Sequence, residues 1–342
     1  MINNSKVVVL SGGSGNTALV TSLINDFDNV KLNIIVNAYD SGKSTGICRH
    51  ITDTLGVSDI RKNHFKLYKL IHKNDLNEDI VKFYKSRLNL TKGKEAEEAK
   101  QFLVDCELNG FIEYVERFFS REESKNYDFK DFSITNIVYA EMYNELGYEK
   151  TNNIFTSLLR IPEDIVILNS FDNVYIQAVT ESGNIIEDEG DIVEYKNSND
   201  KISNIKYNPN NINSLGLNPD ALEKIKEADY IIISTGTFWS SIYPTFDYLD
   251  FYKCINNSKA KKIWFINSEE DKDSYGVDSN MFINKFEKLG MNLNDFSIIE
   301  NISAVPSLKM KNDKYNIEYE DLKYLDNGIN DSSAITEVLK RK

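Results

Sequence analysis

One stretch near the start of the chain limits the folds open to it. Val7-Val8-Val9-Leu10 runs without a polar break into Ser11-Gly12-Gly13-Ser14-Gly15-Asn16-Thr17, and Ala18, Leu19 and Leu23 then recur at helical spacing. Such a run reads as a buried strand, a turn that only glycines make closely, and an amphipathic helix. The first backbone N–H groups of that helix have no intrahelical acceptor, so the turn is a cradle for an anion such as phosphate. A second apolar run, Leu32 to Val36, completes a strand-helix-strand unit, which implies parallel pairing and a right-handed crossover.

The remainder of the chain repeats this theme. Asn218-Pro219-Asp220 is a strong helix start, with a capping side chain, proline at the first helical position and an acid in the first turn. The helix it opens carries Ala221, Leu222 and Ile225, and Tyr230 to Ile233 follows as an apolar run typical of a central parallel strand. That run ends in a second small-residue loop, Ser234 to Ser241, and the cycle recurs with a strand at Ile263 to Ile266 and a helix containing Phe282, Ile283, Phe286 and Leu289. The expected class is therefore α/β, a doubly wound, mainly parallel, Rossmann-like sheet in a single domain spanning residues 1–342. Two departures from the alternation are expected. Residues 74–130 are dense in charge without strand signals and read as a helical insertion, and 163–210 read as a β-rich extension of the sheet. Between them, Ser133 is placed to cap a largely apolar helix that carries Ile134, Ile137, Val138 and Met142.

Charge and cysteine usage narrow the partners. A formal net charge of -13, from 40 basic against 53 acidic side chains, argues against a nucleic-acid backbone or an anionic membrane as the main partner. A small anion is compatible, because helix-start amides bind phosphate without lysine or arginine. Cys48, Cys106 and Cys254 form no CxxC pair, and His50, His64 and His72 lack zinc-ligand spacing, so neither a disulfide framework nor a zinc site is expected. The polar start, Met1 to Lys6, and the absence of an apolar run near the roughly 18 residues of a membrane span lead to the expectation of a soluble, cytoplasmic protein.

Three constellations bear on the ligand. Gly13-x-Gly15-x-x-Ala18 meets the loose dinucleotide fingerprint, with Asp40 near the place of a ribose-binding acid; taken alone it would also suit a dehydrogenase. Gly42-Lys43-Ser44 lacks the earlier glycine of a Walker A loop, since position 37 is Asn, so the segment 37–46 reads as a polar loop facing the ligand. Asp40, Asp59 and Arg61 place two acids and a guanidinium after the second strand. Acids there suit Mg²⁺ on a diphosphate or a hydroxyl contact, and arginine suits phosphate oxygens; an ordinary surface salt bridge is the alternative.

Together these segments resemble the superfamily of 2-phospho-L-lactate transferase (CofD) and the gluconeogenesis factor YvcK, and the YvcK branch more closely. The Ser11-to-Gly15 start is similar to that family's glycine-rich opening. Ala38 to Arg49 is similar to its Asp-Asp-Gly-Gly-Ser segment, with Tyr39 in place of the first acid. Ser58-Asp59-Ile60-Arg61 resembles its Gly-Asp-Ile-Arg turn, Asn136 falls where the family has a Gly-Asn pair, and Ser234 to Pro244 is similar to Gly-Pro-Gly-Ser-Leu-Tyr-Thr-Ser-Ile-x-Pro. Asn267 to Tyr275 sits where the branch carries a loop that helps bind a UDP-sugar.

The resemblance implies a nucleotide or nucleotide-sugar ligand, with Mg²⁺ as a possible cofactor. Gly12, Gly13, Ser14, Gly15 and Asn16 are expected on the phosphates, Gly236, Thr237 and Ser240 on the opposite wall, and Asn267 and Tyr275 in the adjoining loop. Ser41, Asp59, Arg61 and Asn136 join the nucleotide-binding set, and Asp40 is expected as the metal-holding or catalytic acid. Two functions follow from the resemblance: a regulatory nucleotide-sugar binding protein, or a transferase that moves a phospho-acid group to an acceptor hydroxyl and releases nucleoside monophosphate. Self-association into a homo-oligomer is compatible with either.

Overall fold

The structure, a computed structural model, describes residues 2–89, 93–209, 216–267, 271–302, 314–322 and 330–342. The chain divides into two compact units, Met1–Asn37 with Asp164–Lys342, and Ala38–Glu163.

In the first unit, β1 (Lys6–Leu10), β2 (Lys31–Val36), β3 (Val166–Leu168), β7 (Tyr230–Ile233), β8 (Lys261–Phe265), β9 (Phe296–Asn301) and β10 (Ile317–Glu320) form one sheet in the order β10-β9-β8-β7-β1-β2-β3. Every neighbouring pair is parallel. The doubly wound α/β class expected from the sequence is the observed one. Val7 to Leu10 and Tyr230 to Ile233 are wholly buried, which is why these strands show no polar alternation. On one face, helices Thr17–Asn25 and Ser332–Lys340 pack together, joined by a buried hydroxyl pair, Ser22 Oγ to Thr336 Oγ1 at 2.7 Å.

The strand order reverses between β1 and β7, since β2 and β3 lie on one side and β8 to β10 on the other. Leu10 pairs with Ile233, so the two strands end level and their loops leave the sheet side by side. In open α/β sheets this reversal at the carboxyl edge is where ligands bind.

The segment 163–210 is rich in strand, as expected, but most of it does not extend the main sheet. β3 joins the main sheet, but β4 (Val174–Thr180), β5 (Ile185–Ile186) and β6 (Ile202–Pro209) form a separate antiparallel sheet in the order β5-β4-β6, with a short helix, Glu189–Glu194, between β5 and β6. The physical reason lies in β4, where Val174, Ile176, Ala178 and Thr180 are buried while Tyr175, Gln177 and Val179 are only half-buried. A strand with that alternation covers one face of a core and does not suit the interior of a parallel sheet buried on both sides. Residue 210 lies outside the described residues.

The second unit is helical among its described residues. Its longer helices are Lys43–Thr52, Ser58–Ile71, Glu78–Lys85, Glu95–Asp105, Ile112–Ser120, Ile134–Leu146 and Tyr148–Leu159. Helix therefore extends well beyond the charged stretch 74–130, of which residues 90–92 lie outside the described residues. Two local readings change with it. The polar loop 37–46 already turns into helix at Lys43, and Ser58-Asp59-Ile60-Arg61 is the first turn of a helix and not a free turn. The Ser133 cap is present, its Oγ accepting the Asn136 N–H at 3.4 Å, and residues 134–143 behind it are all buried. Aromatic rings fill the core around that helix, with Tyr139 stacked on Phe155 at 3.6 Å and Phe83 on Phe111 at 5.6 Å.

The three cysteines are unpaired. Among the described residues no helix is long and apolar enough to cross a membrane.

Candidate functional site

At the β1/β7 reversal the first unit holds a cavity of about 200 Å³. Its floor is the glycine turn. The helix Thr17–Asn25 begins without a side-chain cap and without an acid in its first turn. The Thr17 N–H is spent on Ser14 O at 3.2 Å and the Val20 N–H on Asn16 O at 2.9 Å. That leaves the amides of Ala18 and Leu19, both lining the cavity, at the positive end of the helix dipole.

Glycine at position 15 is a packing requirement. A Cβ there would sit 2.3 Å from Thr235 O and 3.0 Å from Gly236 Cα, so the turn after β1 and the loop after β7 touch through a missing side chain. Thr235 Oγ1 donates to Gly15 O at 2.8 Å and fixes the approach. Asn16 is buried beneath the turn and donates from Nδ2 to Ser11 Oγ at 2.7 Å, so it braces the cradle from within.

The opposite wall is tied together by Asn267. Its Oδ1 accepts the Gly236 N–H and its Nδ2 donates to Gly236 O, each at 2.7 Å, as a neighbouring strand would. The same Nδ2 donates to Asp271 Oδ2. Gly12, Gly13, Ser14, Gly15, Gly236, Thr237 and Asn267, all expected at the ligand from the sequence, line this one cavity.

Ser240 and Tyr275 are placed differently. The Ser240 hydroxyl donates to Thr237 Oγ1 at 2.7 Å, and its N–H and that of Trp239 donate to Asp273 Oδ2 at 3.3 and 2.9 Å. Asp273 is 2% exposed. Burial, with Asp271 nearby, pushes its carboxyl up to about 7 against the opposing pull of the two amides. Tyr275 offers its ring to the Lys196 ammonium at 4.4 Å. Of the Asn267-to-Tyr275 loop, residues 268–270 lie outside the described residues. Thr235, Asp271 and Asp273 were not singled out from the sequence. Thr235 sits in a loop whose glycine drew the attention, and no local pattern marks the two acids, whose partners lie more than 30 residues away or in a clamp made by Asn267.

The second unit gathers the other expected residues. Arg49, fully buried, donates to Tyr39 O at 3.0 Å, Asp40 O at 3.4 Å and Thr54 O at 3.2 Å, and so shapes the loop that carries Asp40 and Ser41. Gly56 allows the chain to pass over that loop, since a Cβ there would meet Asp40 O at 2.5 Å. Ser41 is buried against Gly46, whose Cβ would lie 2.4 Å from Ser41 O. Asp40 Oδ2 is buried without a hydrogen-bond partner.

Asp59 is pushed up to about 6 by burial, with Lys62 pulling it down and the Asp40 carboxylate adding to the rise; Lys62 Nζ is 3.5 Å from it. Arg61 is held below the usual guanidinium range by burial and by Arg87; it donates from Nη1 to Tyr84 O at 3.2 Å, and its Nε is buried without an acceptor. Asn136 donates to Ser44 Oγ at 3.0 Å and its Oδ1 is buried without a donor. Asp40 Oδ2, Arg61 Nε and Asn136 Oδ1 are thus three buried polar atoms of this unit without a hydrogen-bond partner among the described residues, a feature that calls for an explanation. Among the described residues, no three His, Cys, Asp or Glu side chains gather as a closed metal site.

The chain is similar to several known proteins. The family described as 2-phospho-L-lactate transferase CofD matches residues 7–336. A putative gluconeogenesis factor of Aquifex aeolicus is 26% identical over 263 residues, covering 76% of this chain and 66% of that protein. A gluconeogenesis factor of Listeria innocua is 24% identical over 264 residues, covering 77% of this chain and 66% of that protein. The match thus spans just under two thirds of the length of these curated relatives. A crystal structure of a UPF0052 family member from Bacillus halodurans superposes with a TM-score of 0.73 at 16% identity, covering 98% of this chain and 99% of the other, and shares the fold.

Proposed function

The chain belongs to the 2-phospho-L-lactate transferase CofD family, and on that premise we propose that it binds a nucleotide diphosphate of the nucleotide-sugar kind at the carboxyl edge of its parallel sheet. The observation that carries this reading is the open helix start. Ala18 and Leu19 present amides to a cavity of about 200 Å³ at the strand-order reversal. A diphosphate oxygen is the acceptor such amides suit, and the glycine turn lets it come close without a side chain in between. In the cell the protein acts as a regulatory sensor in carbon or cell-envelope metabolism; the gluconeogenesis-factor relatives support that role. Titration calorimetry against a panel of UDP- and GDP-sugars tests it. Micromolar binding of at least one member is expected, and no heat from the whole panel overturns the reading.

A second reading, transfer of a phospho-acid group to an acceptor hydroxyl with release of nucleoside monophosphate, is supported by the acid pair of the second unit. Asp40 Oδ2, buried without a partner, and Asp59 fit a Mg²⁺ ion, which takes one or two carboxylates and fills its other positions with water and phosphate. Bound there, the ion would supply positive charge to a reacting phosphate. Arg61 and the orphaned Asn136 Oδ1 would orient the acceptor hydroxyl by hydrogen bonds, so catalysis would rest on positioning and charge. Release of nucleoside monophosphate from a nucleotide diphospho-acid, lost in Asp40→Asn with binding heat retained, is the expected result; no monophosphate from the wild-type chain removes this reading.

A further inference from the structure

Two residues beyond β8 hold the far wall of the cavity. Asn267 clamps the Gly236 peptide, and Asp273 holds the helical turn that follows it. That turn, Phe238–Ile242, is π-helical, an uncommon winding that recurs at functional sites. Trp239 and Ser240 donate their N–H groups to one oxygen of Asp273, at 2.9 and 3.3 Å. The other oxygen, Oδ1, is buried and has no hydrogen-bond partner among the described residues. A neutral carboxyl in this place leaves one polar group unmet, whereas a carboxylate leaves much of its charge in a dry site. The contact therefore suits the protonated acid and opposes the ionised one.

The charged groups around Asp273 do not relieve it. On its own segment, Asp271 repels a carboxylate and Lys272 pairs with Glu194. The short helix Glu189–Glu194 packs on both the segment and the π-helical turn, and its ionisable groups, Glu189, Asp191 and Glu194, are all acidic. Tyr195 lines the same hollow, and Lys196 lies 4.4 Å from the Tyr275 ring. Lys201, ahead of β6, donates to Gly276 O at 2.5 Å. β6 itself carries Lys206, which is exposed, and Tyr207, which lies against the Tyr248 ring. Over the Trp239 ring lie Lys285 at 5.4 Å and Tyr243 at 5.3 Å. Lys272, Lys196, Lys201 and Lys285 are thus each drawn to another partner, and burial with Asp271 raises the Asp273 carboxyl from 3.8 to about 7.

We propose that Asp273 is a proton-operated latch: protonated, it pins the segment Asp271–Tyr275 to the helical turn behind Gly236; ionised, it leaves the two amides and the wall loosens. Gly236, Thr237, Asn267 and Asp271 line the cavity and flank the contact that the latch makes, so releasing it blurs the cavity. Ligand binding is therefore tighter with the proton in place. The released carboxyl titrates near 3.8 and the latched one near 7, so the latch weakens as pH rises between about 4 and 7 and levels off above. The effect on ligand rests on the nucleotide reading above; the latch itself does not.

Three measurements on the 342-residue chain and on Asp273→Asn test it, with thermal melts to confirm that the variant is folded. The first is hydrogen exchange of the Trp239 and Ser240 amides, corrected for the intrinsic effect of pH. The second is the carboxyl ¹³C resonance of Asp273. The third is calorimetry with UDP-glucose, whose diphosphate holds no proton in the range used. Between about pH 5 and 8 the protection of both amides is expected to fall about tenfold or more as the carboxyl titrates, and UDP-glucose to bind more weakly by a similar factor. Asp273→Asn should show neither change. At about pH 5, with the latch closed, ligand leaves the Trp239 and Ser240 amides unmoved. Protection that stays constant while the carboxyl titrates overturns the latch and is read on the wild type alone; an equal fall in Asp273→Asn also overturns it. Constant UDP-glucose affinity in a wild type whose amides lose protection overturns the hold on the cavity wall. No UDP-glucose binding at any pH overturns the nucleotide reading, and amide exchange still decides the latch.

Discussion

Two loops of the same unit look alike in sequence and end differently in structure. Ser11 to Asn16 follows β1 and Ser234 to Thr237 follows β7; both are small-residue segments at neighbouring strand ends, and both lead into helical turns. Behind the first, the amides of Ala18 and Leu19 stay open to a cavity. Behind the second, Trp239 and Ser240 donate to Asp273, while Ser241 and Ile242 donate to Thr237 O at 3.2 and 3.0 Å. The donors of the second helix start are already met from within the chain, by a buried carboxyl. A glycine loop therefore announces that open amides are on offer, and a residue far along the sequence decides whether their acceptor is a ligand or a side chain.

The largest expected effect comes from emptying the filled site. At pH 5, where the Asp273 carboxyl holds its proton, Asp273→Ala removes the acceptor of two buried N–H groups. A loss of about 2–6 kcal/mol is expected, at roughly 1–3 kcal/mol for each orphaned donor; urea denaturation measures it. A loss under about 1 kcal/mol would mean that water replaces the carboxyl and that the two loops are equivalent after all.

Next is the pH dependence of the same group. Its folded value is raised from 3.8 to about 7, so the folded chain holds the proton more tightly than the unfolded one. The stabilising contribution is full below about pH 4 and is lost as pH rises through about 7, a change of up to about 4 kcal/mol. Melts between pH 4 and 7.5 should show this decline in the wild-type chain, and Asp273→Asn, which cannot ionise, should remove that part of it.

The open loop responds to a smaller change. Gly15→Ala drives a methyl group into Thr235 O and should cost about 1–3 kcal/mol of stability. It should also weaken nucleotide binding about tenfold or more, equivalent to about 1.4 kcal/mol, because the turn and the β7 loop must separate. Calorimetry beside a melt distinguishes the two losses. Smallest of all is Thr235→Val, which removes one part-exposed hydrogen bond to Gly15 O and should cost about 0.5–1.5 kcal/mol with the fold intact; an undisturbed binding constant there would show that the two loops hold register without it.

Much of this was legible in the sequence because it is local. The unbroken apolar runs at β1 and β7, the glycines at 12, 13, 15 and 236, and the Asn218 and Ser133 caps each act within a few residues of themselves, and pattern reveals them. The helix at Lys43–Thr52 was hidden because its polar first turn looks like a loop; it is held by Arg49, whose bonds to the carbonyls of Tyr39 and Asp40 span ten positions or fewer but follow no motif of polarity. Asp273 was hidden for another reason. Its role depends on two amides more than 30 residues upstream, and a buried acid in a charged loop carries no mark that separates it from a solvated one.

The central claim is that ligand phosphate meets the first loop and not the second, and backbone amide NMR of the ¹⁵N-labelled full chain tests it most directly. On titration with UDP or a UDP-sugar, the account predicts that the amide resonances of Gly13 to Leu19 shift, Ala18 and Leu19 most of all, while those of Trp239 and Ser240 keep their positions. Shifts at Trp239 and Ser240 with Ala18 and Leu19 unmoved would contradict it.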